Sequence, residues 1–335
     1  MSGARRAAPL QLPRGIDMKT WLSAALLCLS ATVAHAAGLK FVTIPADAAG
    51  PELRAVIWTP CAAPAQSLTI GPFLLKGQRN CPTVGDKLPL VVISHGHAGT
   101  YFGHHDLAET LADAGYVVAA INHPGDTHTD MSRAADLREL VERPEDIKRL
   151  VDYMLANGPD AAHVDPARIG FFGFSRGGYT GLVLAGANPD FVHAHVACPD
   201  PTWLICKQIR DHDLPRQPLT HDPRIKAYVI ADPMNEFPTA DTLKDVHAPI
   251  QLWGSEAGGD GVEPETVSAL AGMLPKRPEF HVVPHSAHFA FLAPCSDQLA
   301  QVSPEVCTDA KGFDRAAFHE TLDAKALAFF SANLR

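Results

Sequence analysis

The chain contains no long run of basic residues, and its formal net charge at pH 7 is -9. Because nucleic-acid-binding proteins contact phosphates through clustered Lys and Arg, we expect no nucleic acid partner. The chain also lacks an apolar run of the roughly 20 residues that a membrane-spanning helix needs, so we expect no stable membrane span. No C-x-x-C spacing occurs among the cysteines, which disfavours a zinc site. We predict no cofactor and no metal.

One short apolar run lies near the N-terminus, at residues 21–34, shortly after Lys19. A positive residue, a run of roughly 14 mostly apolar residues and an A-x-A ending at Ala36 are together typical of a secretory signal peptide. We therefore predict that residues 1–36 are a signal peptide with an N-terminal extension, cleaved after Ala36. The mature chain, 37–335, is predicted to be periplasmic or secreted.

The cysteines agree with export. Cleavage after Ala36 removes one of the seven and leaves six. An even number in an exported chain indicates disulfides, although six cysteines allow 15 pairings. They fall into three neighbouring pairs, each bracketing a Pro-rich or polar stretch. The favoured pairs are Cys61–Cys81, Cys198–Cys206 and Cys295–Cys307.

Apolar runs alternate with helical patterns through most of the mature chain. The predicted strands are 40–44, 54–59, 90–94, 116–121, 168–174, 225–231, 250–254 and 280–283, and the predicted helices are 106–114, one starting near Pro144, 177–187, 264–273 and 314–332. This alternation predicts a single α/β domain, with a mostly parallel central sheet and helices on both faces. Residues 191–223, rich in Pro, His and charge, interrupt the alternation and are predicted to form a small cap-like insertion.

The strongest chemical signal is G-F-S-R-G-G at 173–178, which directly follows an apolar strand and opens a helix. This is the context that a G-x-S-x-G nucleophile elbow requires. The sharp turn exposes a serine hydroxyl, here that of Ser175, and the following helix directs its N-terminal dipole at developing negative charge. The alternative is a Gly-rich turn whose serine only caps the helix.

A serine nucleophile needs a general base, which follows late in the chain in this class of site. His288 lies just past the last predicted strand and before the C-terminal helix. We predict His288 as the base, with His285 as its rival.

Three carboxylates are candidates for the acid that orients the base. Asp260 follows strand 250–254 and is favoured; Asp232, at the end of the preceding strand, is the alternative, and Glu256 is a third candidate. The acid fixes the tautomer of the imidazole and stabilises the imidazolium that forms.

An acyl-transfer site also needs donors for the oxyanion. The segment S-H-G-H-A-G follows the first long buried strand, and we predict that the backbone N–H of His97 is one donor. The backbone N–H of Arg176, directly after the nucleophile, is predicted to be the other.

These motifs resemble a known family. The H-G-x-x-G element at His95, N-H-P-G at 122–125, G-F-S-R-G-G at Ser175 and A-H-F-A-F-L-A-P-C at 287–295 are similar to the dienelactone-hydrolase-like branch of the α/β-hydrolase superfamily. That branch is in turn similar to the platelet-activating-factor acetylhydrolases. The resemblance covers most of 85–335 and implies the α/β-hydrolase fold.

The resemblance also implies a carboxylic-ester hydrolase that uses Ser175, Asp260 and His288, since the family's acid usually follows the same strand as Asp260. Two departures are present. Gly258 and Gly259 lengthen the acidic turn, and Ala287 precedes the base at a position where Gly is common in the family. True dienelactone hydrolases use a cysteine nucleophile, so Ser175 argues against that particular activity.

The sequence thus predicts a secreted serine hydrolase acting on a small-molecule ester. A peptidase or amidase on the same scaffold is the alternative, since protonation of the leaving group by His288 would serve either. A non-catalytic binding protein is a third reading, disfavoured because candidates for all three triad roles are present.

Overall fold

The computed structural model describes residues 36–194, 198 and 201–335. The predicted signal peptide, except for Ala36, lies outside the described residues. The described ranges belong to one compact unit, Ala34–Arg335. No helix in these ranges combines the length and apolar character that crossing a membrane requires.

Ten strands form a single sheet. They are β1 Ala36–Ile44, β2 Leu53–Cys61, β3 Gln66–Ile70, β4 Phe73–Arg79, β5 Leu88–Ser94, β6 Val117–Asn122, β7 Val164–Phe174, β8 Ile225–Ala231, β9 Ile250–Ser255 and β10 Glu279–Val283. Their spatial order is β10-β9-β8-β7-β5-β6-β2-β1-β4-β3. The six strands from β10 to β6 are parallel to their neighbours, whereas β2 pairs antiparallel with both β6 and β1. The sheet is therefore mostly parallel in the half that carries the predicted site.

Eight α-helices accompany the strands in the described ranges. They are α1 His105–Asp113, α2 Leu137–Ala156, α3 Arg176–Leu184, α4 Leu204–Arg210, α5 Pro264–Met273, α6 Asp297–Val302, α7 Pro304–Cys307 and α8 Arg315–Asn333. α4 lies within the predicted insertion 191–223, between α3 and β8.

Apolar side chains of the central strands alternate between two cores. Val92 packs with residues of α2, α3 and α5 in one buried cluster. Its neighbour Val91 packs with residues of α1 and α8 in the other. Because successive side chains of a strand point to opposite faces, a continuous apolar run such as that of β5 is buried on both. Helices cover both faces of the sheet, as predicted.

The structure corrects the predicted start of α2. Pro144 lies inside this helix, which begins at Leu137. Asp136 caps it by accepting a hydrogen bond of 2.9 Å from the N–H of Arg138. An internal proline removes one helical hydrogen bond, but the turns before it bury Leu137 and Leu140. Tertiary packing thus outweighs the local signal for a helix start.

The region before β5 holds a hairpin that the sequence pattern does not reveal. β3 and β4 pair antiparallel at the edge of the sheet, within a stretch predicted to be a loop. Leu75 is the only residue of the two strands with a fully apolar side chain that is buried. With little of either strand buried, the alternation that marks a strand is weak.

Three disulfides join the cysteine pairs favoured from the sequence: Cys61–Cys81, Cys198–Cys206 and Cys295–Cys307. Their Cα–Cα distances are 5.9, 5.8 and 5.8 Å, within the usual range for a disulfide.

Candidate active site

Ser175 lies in the turn between β7 and α3, with φ 55° and ψ -117°. A positive φ is uncommon for a residue with a side chain and costs about 1–3 kcal/mol. Two glycines make the turn possible. A Cβ on Gly173 would overlap the carbonyl oxygen of Gly177, and a Cβ on Gly177 would overlap that of Ser94. This strained strand–turn–helix geometry is that of a nucleophile elbow.

His288 is brought to the same edge of the sheet and is only 1% exposed. Its Nδ1 lies 2.7 Å from Oδ2 of Asp232. Its Nε2 is buried and has no hydrogen-bond partner in the described part of the chain. The imidazole packs against the ring of Phe174, the neighbour of Ser175, with 4.6 Å between centroids. One nitrogen of the ring is thus anchored while the other is left for a proton transfer.

No hydrogen bond joins Oγ of Ser175 to Nε2 of His288 among the described contacts. In ligand-free enzymes such bonds are often long and tighten only when substrate binds. The structure brings the nucleophile and base candidates to neighbouring positions without closing this contact.

Asp232 is fully buried and follows directly on β8. Its Oδ1 accepts the N–H of Ser255 at 2.8 Å, and its Oδ2 accepts the hydroxyl of Ser255 at 2.8 Å. Together with His288, these donors fix the orientation of both carboxylate oxygens. Ser255, at the end of β9, has no sequence signal for this role; only the adjacency of β8 and β9 reveals it.

The structure does not bring Asp260, the acid favoured from the sequence, into hydrogen-bond contact with His288. Asp260 is exposed, at φ 49° in the tip of a tight turn. The turn reaches the base through its backbone instead, because the N–H of His288 donates to the carbonyl of Gly258 at 2.9 Å. The carboxylate that contacts His288 is that of the alternative candidate, Asp232.

The two remaining candidates contact each other away from this centre. Oε2 of Glu256 accepts the backbone N–H of His285 at 2.7 Å and lies 3.4 Å from its Nδ1. Both side chains are exposed, His285 to 82%. Neither is hydrogen-bonded to Asp232 or His288.

The predicted oxyanion donors, His97 and Arg176, both line a cavity with Ser175. Their side chains meet at Asp126, which sequence reasoning missed. Oδ1 of Asp126 accepts from Nδ1 of His97 at 3.0 Å, and Oδ2 accepts from Nη1 of Arg176 at 3.1 Å. One buried carboxylate therefore links the two segments that carry the predicted oxyanion donors.

Asp126 is held as a carboxylate despite its burial. Burial alone would raise its pKa, but the hydrogen bond from His97 and the charges of Arg143 and Arg176 hold the pKa well below its usual value. Nη1 of Arg143 lies 2.8 Å from Oδ2, and both of these side chains are fully buried. The result is a buried ionic cluster that is hydrogen-bonded to the loop that carries His97.

Two cavities open beside the site. One, of about 570 Å³, is lined by Ser175 and by Trp203 and Leu204 of the 191–223 segment. The other, of about 400 Å³, is lined mainly by apolar residues such as Phe73 and Leu292. Both touch His97 and Asp260. Both cavities have volumes in the range that is typical of sites for small organic ligands.

Glu236 lies in the wall of the larger cavity and is only 2% exposed. Its Oε2 is buried with no hydrogen-bond partner in the described ranges. Burial raises the pKa of Glu236 to about 8, against a lowering by the charge of Arg176. The side chain is therefore largely a neutral acid at pH 7, and sequence pattern gives no sign of this.

Comparison with known proteins finds one matching family model and several curated relatives. The family model described as "Serine aminopeptidase, S33" matches residues 85–205. Cutinase est1 of Thermobifida alba is 29% identical over 187 residues, which cover 51% of this chain and 58% of that protein. Cutinase est2 of the same organism is 32% identical over 127 residues, covering 37% and 38%. The match thus spans about half the length of these relatives or less.

A solved structure described as a ferulic acid esterase from Streptomyces cinnamoneus aligns with a TM-score of 0.61. The alignment covers 90% of this chain and 91% of that one, at 18% sequence identity. At that identity the likeness concerns the fold. With the mostly parallel sheet, the helices on both faces and the elbow between β7 and α3, it establishes that this chain has the α/β-hydrolase fold.

Proposed function

We propose that this chain is an exported serine hydrolase that cleaves carboxylic esters with Ser175 as nucleophile, His288 as base and Asp232 as acid. The observation that carries the proposal is the imidazole of His288, anchored at Nδ1 by Asp232 with its Nε2 unpartnered, beside the strained turn of Ser175. The cutinases among the relatives are named for the same class of reaction.

The mechanism follows from these positions. Nε2 of His288 takes the proton of the Ser175 hydroxyl as Oγ attacks the ester carbonyl carbon. The backbone N–H groups of His97 and Arg176 donate to the oxygen that becomes negative. The imidazolium then protonates the departing alcohol, which leaves an acyl group on Ser175. Water, deprotonated by His288, attacks that acyl carbon and releases the acid.

Asp232 contributes by orientation and charge. Its Oδ2 accepts the Nδ1 proton of His288, which leaves Nε2 as the basic nitrogen and stabilises the imidazolium. Because Ser255 holds both carboxylate oxygens, little reorganisation is needed when the charge on the ring develops.

Export is supported by the three disulfides, since such bonds persist in oxidising compartments. The short apolar run at 21–34 with its A-x-A ending supports the same conclusion. We propose a periplasmic or secreted location, with 191–223 acting as a small cap over the larger cavity.

The substitution Ser175→Ala tests the activity. We expect hydrolysis of p-nitrophenyl esters to fall by several powers of ten, because the loss of a triad member leaves only the contribution of the oxyanion donors and binding. A fluorophosphonate probe should label the wild type at Ser175. Ser268→Ala, at an exposed serine on α5, is the matched control and should retain activity and labelling. A folded Ser175→Ala protein with wild-type turnover would refute the proposal.

The description of the matching family model names a serine aminopeptidase. This name favours amide cleavage as the second candidate function. An amide series measured beside the esters separates the two. If kcat/KM for amino-acid p-nitroanilides exceeds that for every ester, the chain is an amidase that uses the same three residues.

A further inference from the structure

One acidic side chain in the wall of the larger cavity has no role in the proposed mechanism. Glu236 lies in the loop that follows β8, shortly after Asp232, and lines this cavity together with Ser175. The residue is 2% exposed, and its buried Oε2 has no hydrogen-bond partner in the described ranges. A buried carboxyl oxygen without a partner is costly. Its presence in a cavity of ligand size points to a ligand that completes its hydrogen bonding.

Other polar side chains in the same wall are hydrogen-bonded within the protein. Nδ2 of Asn235 donates to the backbone carbonyl of Thr266 at 2.9 Å. Nη1 of Arg176 donates to Oδ2 of Asp126 at 3.1 Å. The carboxyl of Glu236 differs from these groups because it has hydrogen-bonding capacity left for a molecule that enters the cavity.

Backbone hydrogen bonds fix the place of Glu236 relative to the nucleophile. The N–H of Met234 donates to the carbonyl of Ser175 at 3.1 Å, and the N–H of Asp190 donates to the carbonyl of Glu236 itself at 2.9 Å. A substrate bonded to Ser175 would therefore meet this carboxyl at a defined position. In a mostly apolar site, a few fixed polar groups of this kind determine the orientation and identity of the ligand.

The carboxyl of Glu236 is mostly a neutral acid at pH 7. Burial raises its pKa to about 8, against a lowering by the charge of Arg176. The hydroxyl of Tyr179, also buried without a hydrogen-bond partner in the described part of the chain, is close enough to interact electrostatically with Glu236. A neutral carboxyl presents an O–H donor, whose complement in a ligand is an acceptor oxygen. A cationic ligand group would instead meet the charge of Arg176 in the same wall.

The position of Ser175 determines which part of the substrate enters this cavity. Ser175 lines the larger cavity, whereas the smaller one is lined by Phe174 and Phe289, the chain neighbours of the nucleophile and the base. The acyl group becomes bonded to Oγ of Ser175 in the proposed reaction, so the larger cavity is placed to receive it. The alcohol, which His288 protonates, is then expected on the side of Phe289.

We propose that Glu236 determines substrate specificity by donating a hydrogen bond to an acceptor oxygen in the acyl group, beyond the ester carbonyl. The inference rests on the proposed function and names its substrate class: esters whose acyl group carries an ether, carbonyl or hydroxyl oxygen. Apolar residues of the same wall, such as Met131, Leu204 and Val262, would pack on the hydrocarbon part of the acyl group.

The test compares p-nitrophenyl esters in matched pairs that differ by one oxygen. Methoxyacetate, 3-methoxypropanoate and 4-methoxybutanoate are paired with butanoate, pentanoate and hexanoate, so an oxygen replaces one CH₂ group at three distances from the ester. For each pair, kcat/KM for the ether ester is divided by kcat/KM for the alkyl ester. Comparing this ratio between wild type and variants cancels the intrinsic reactivity of the two esters.

Glu236→Leu should lower this ratio about five- to ten-fold for at least one pair, because it removes one hydrogen bond between uncharged groups. Glu236→Gln keeps an N–H donor on a side chain of similar shape and should hold the ratio within about two-fold of the wild type. Met131→Leu is the matched control: it conserves volume elsewhere in the cavity wall and should leave the ratio unchanged. Glu236→Met takes the place of Glu236→Leu if circular dichroism shows that the latter does not fold.

The inference is overturned if the folded apolar variants of Glu236 keep the wild-type ratio for all three pairs. Hydrolysis of the alkyl esters would in that case leave the proposed function standing. If the wild type hydrolyses none of the six esters, the proposed function fails and the inference fails with it. A loss of kcat/KM confined to the p-nitrophenyl ester of β-alanine would also overturn the inference, because Glu236 would then bind an ammonium group as a carboxylate.

Discussion

Nδ1 of His288 lies 2.7 Å from Oδ2 of Asp232, whose carboxylate comes from the end of β8 rather than from the turn after β9. Asp260, in that turn, is exposed and makes no hydrogen bond to the ring. The two carboxylates therefore have different predicted effects on catalysis, although the sequence alone favoured Asp260.

Asp232→Asn should lower kcat for ester hydrolysis by up to about 10⁴, because the amide keeps the geometry but favours the wrong tautomer of the imidazole. Asp260→Asn is the matched control and should retain most of the activity. Steady-state kinetics on both variants, with circular dichroism to verify folding, decides the question. The reverse ranking would return the acid role to Asp260 and leave the serine-hydrolase proposal standing.

Features that are formed by residues close together in the chain could be predicted from the local sequence. The elbow motif at Ser175 occupies six consecutive residues, and each cysteine in the described part of the chain pairs with its nearest neighbour in sequence. Asp232 and Asp260 both follow strands that end at the same edge, so pattern could not separate them. What separates them is the pairing of β8 with β9, which sets Ser255 against Asp232.

Contacts between residues that are distant in sequence could not be predicted, because they leave no local sequence pattern. Asp126 looks like an ordinary loop residue after N-H-P-G, yet it joins His97 to Arg176, 79 positions further along the chain than His97. The start of α2 was missed for a related reason: Pro144 suggests a helix start, and only the packing of the preceding turns shows that the helix begins earlier.

Asp126→Asn should impair both stability and catalysis. Loss of the carboxylate leaves the fully buried guanidinium of Arg143 without its partner, which typically costs about 3–5 kcal/mol. It also removes the charged acceptor that the side chains of His97 and Arg176 share; the backbone N–H groups of these two residues are the proposed oxyanion donors. We expect kcat to fall by about 10²-fold, as when one such donor is lost.

Urea unfolding and steady-state kinetics measure these two effects. Asp130→Asn, at an exposed carboxylate in the same loop, serves as control and should change neither. Wild-type kcat in a folded Asp126→Asn protein would show that Asp126 does not position the oxyanion donors.

The disulfides should contribute unequally to stability. Cys61–Cys81 spans 20 residues and both cysteines are buried, whereas Cys198–Cys206 spans 8. In the chain-entropy model the longer loop adds about 1 kcal/mol relative to the shorter one. Thermal unfolding of the Cys61→Ser/Cys81→Ser and Cys198→Ser/Cys206→Ser double variants should show the larger loss of Tm for the first. Several free thiols in denatured, unreduced wild type would argue against the pairing itself.

Glu236 should make the folded protein less stable as the pH rises. Burial raises its pKa to about 8 from an ordinary value of 4.5, so the folded state favours the neutral acid. The stability that this provides is fully present below about pH 4.5 and is lost as the pH rises through about 8. Between pH 6 and 8 the loss amounts to about 2 kcal/mol for this residue.

Glu236→Gln keeps a neutral, similarly shaped side chain in the cavity wall at every pH. Its free energy of unfolding, measured in urea at pH 6, 7, 8 and 9, should fall less steeply than that of the wild type. Some slope should remain, because burial also raises the pKa of Glu139 to about 7. Glu265→Gln, at an exposed position of α5, should follow the wild-type slope. If Glu236→Gln does so too, Glu236 is already ionised in the folded protein at pH 6, and Arg176 compensates its charge more strongly than the burial of the side chain opposes it.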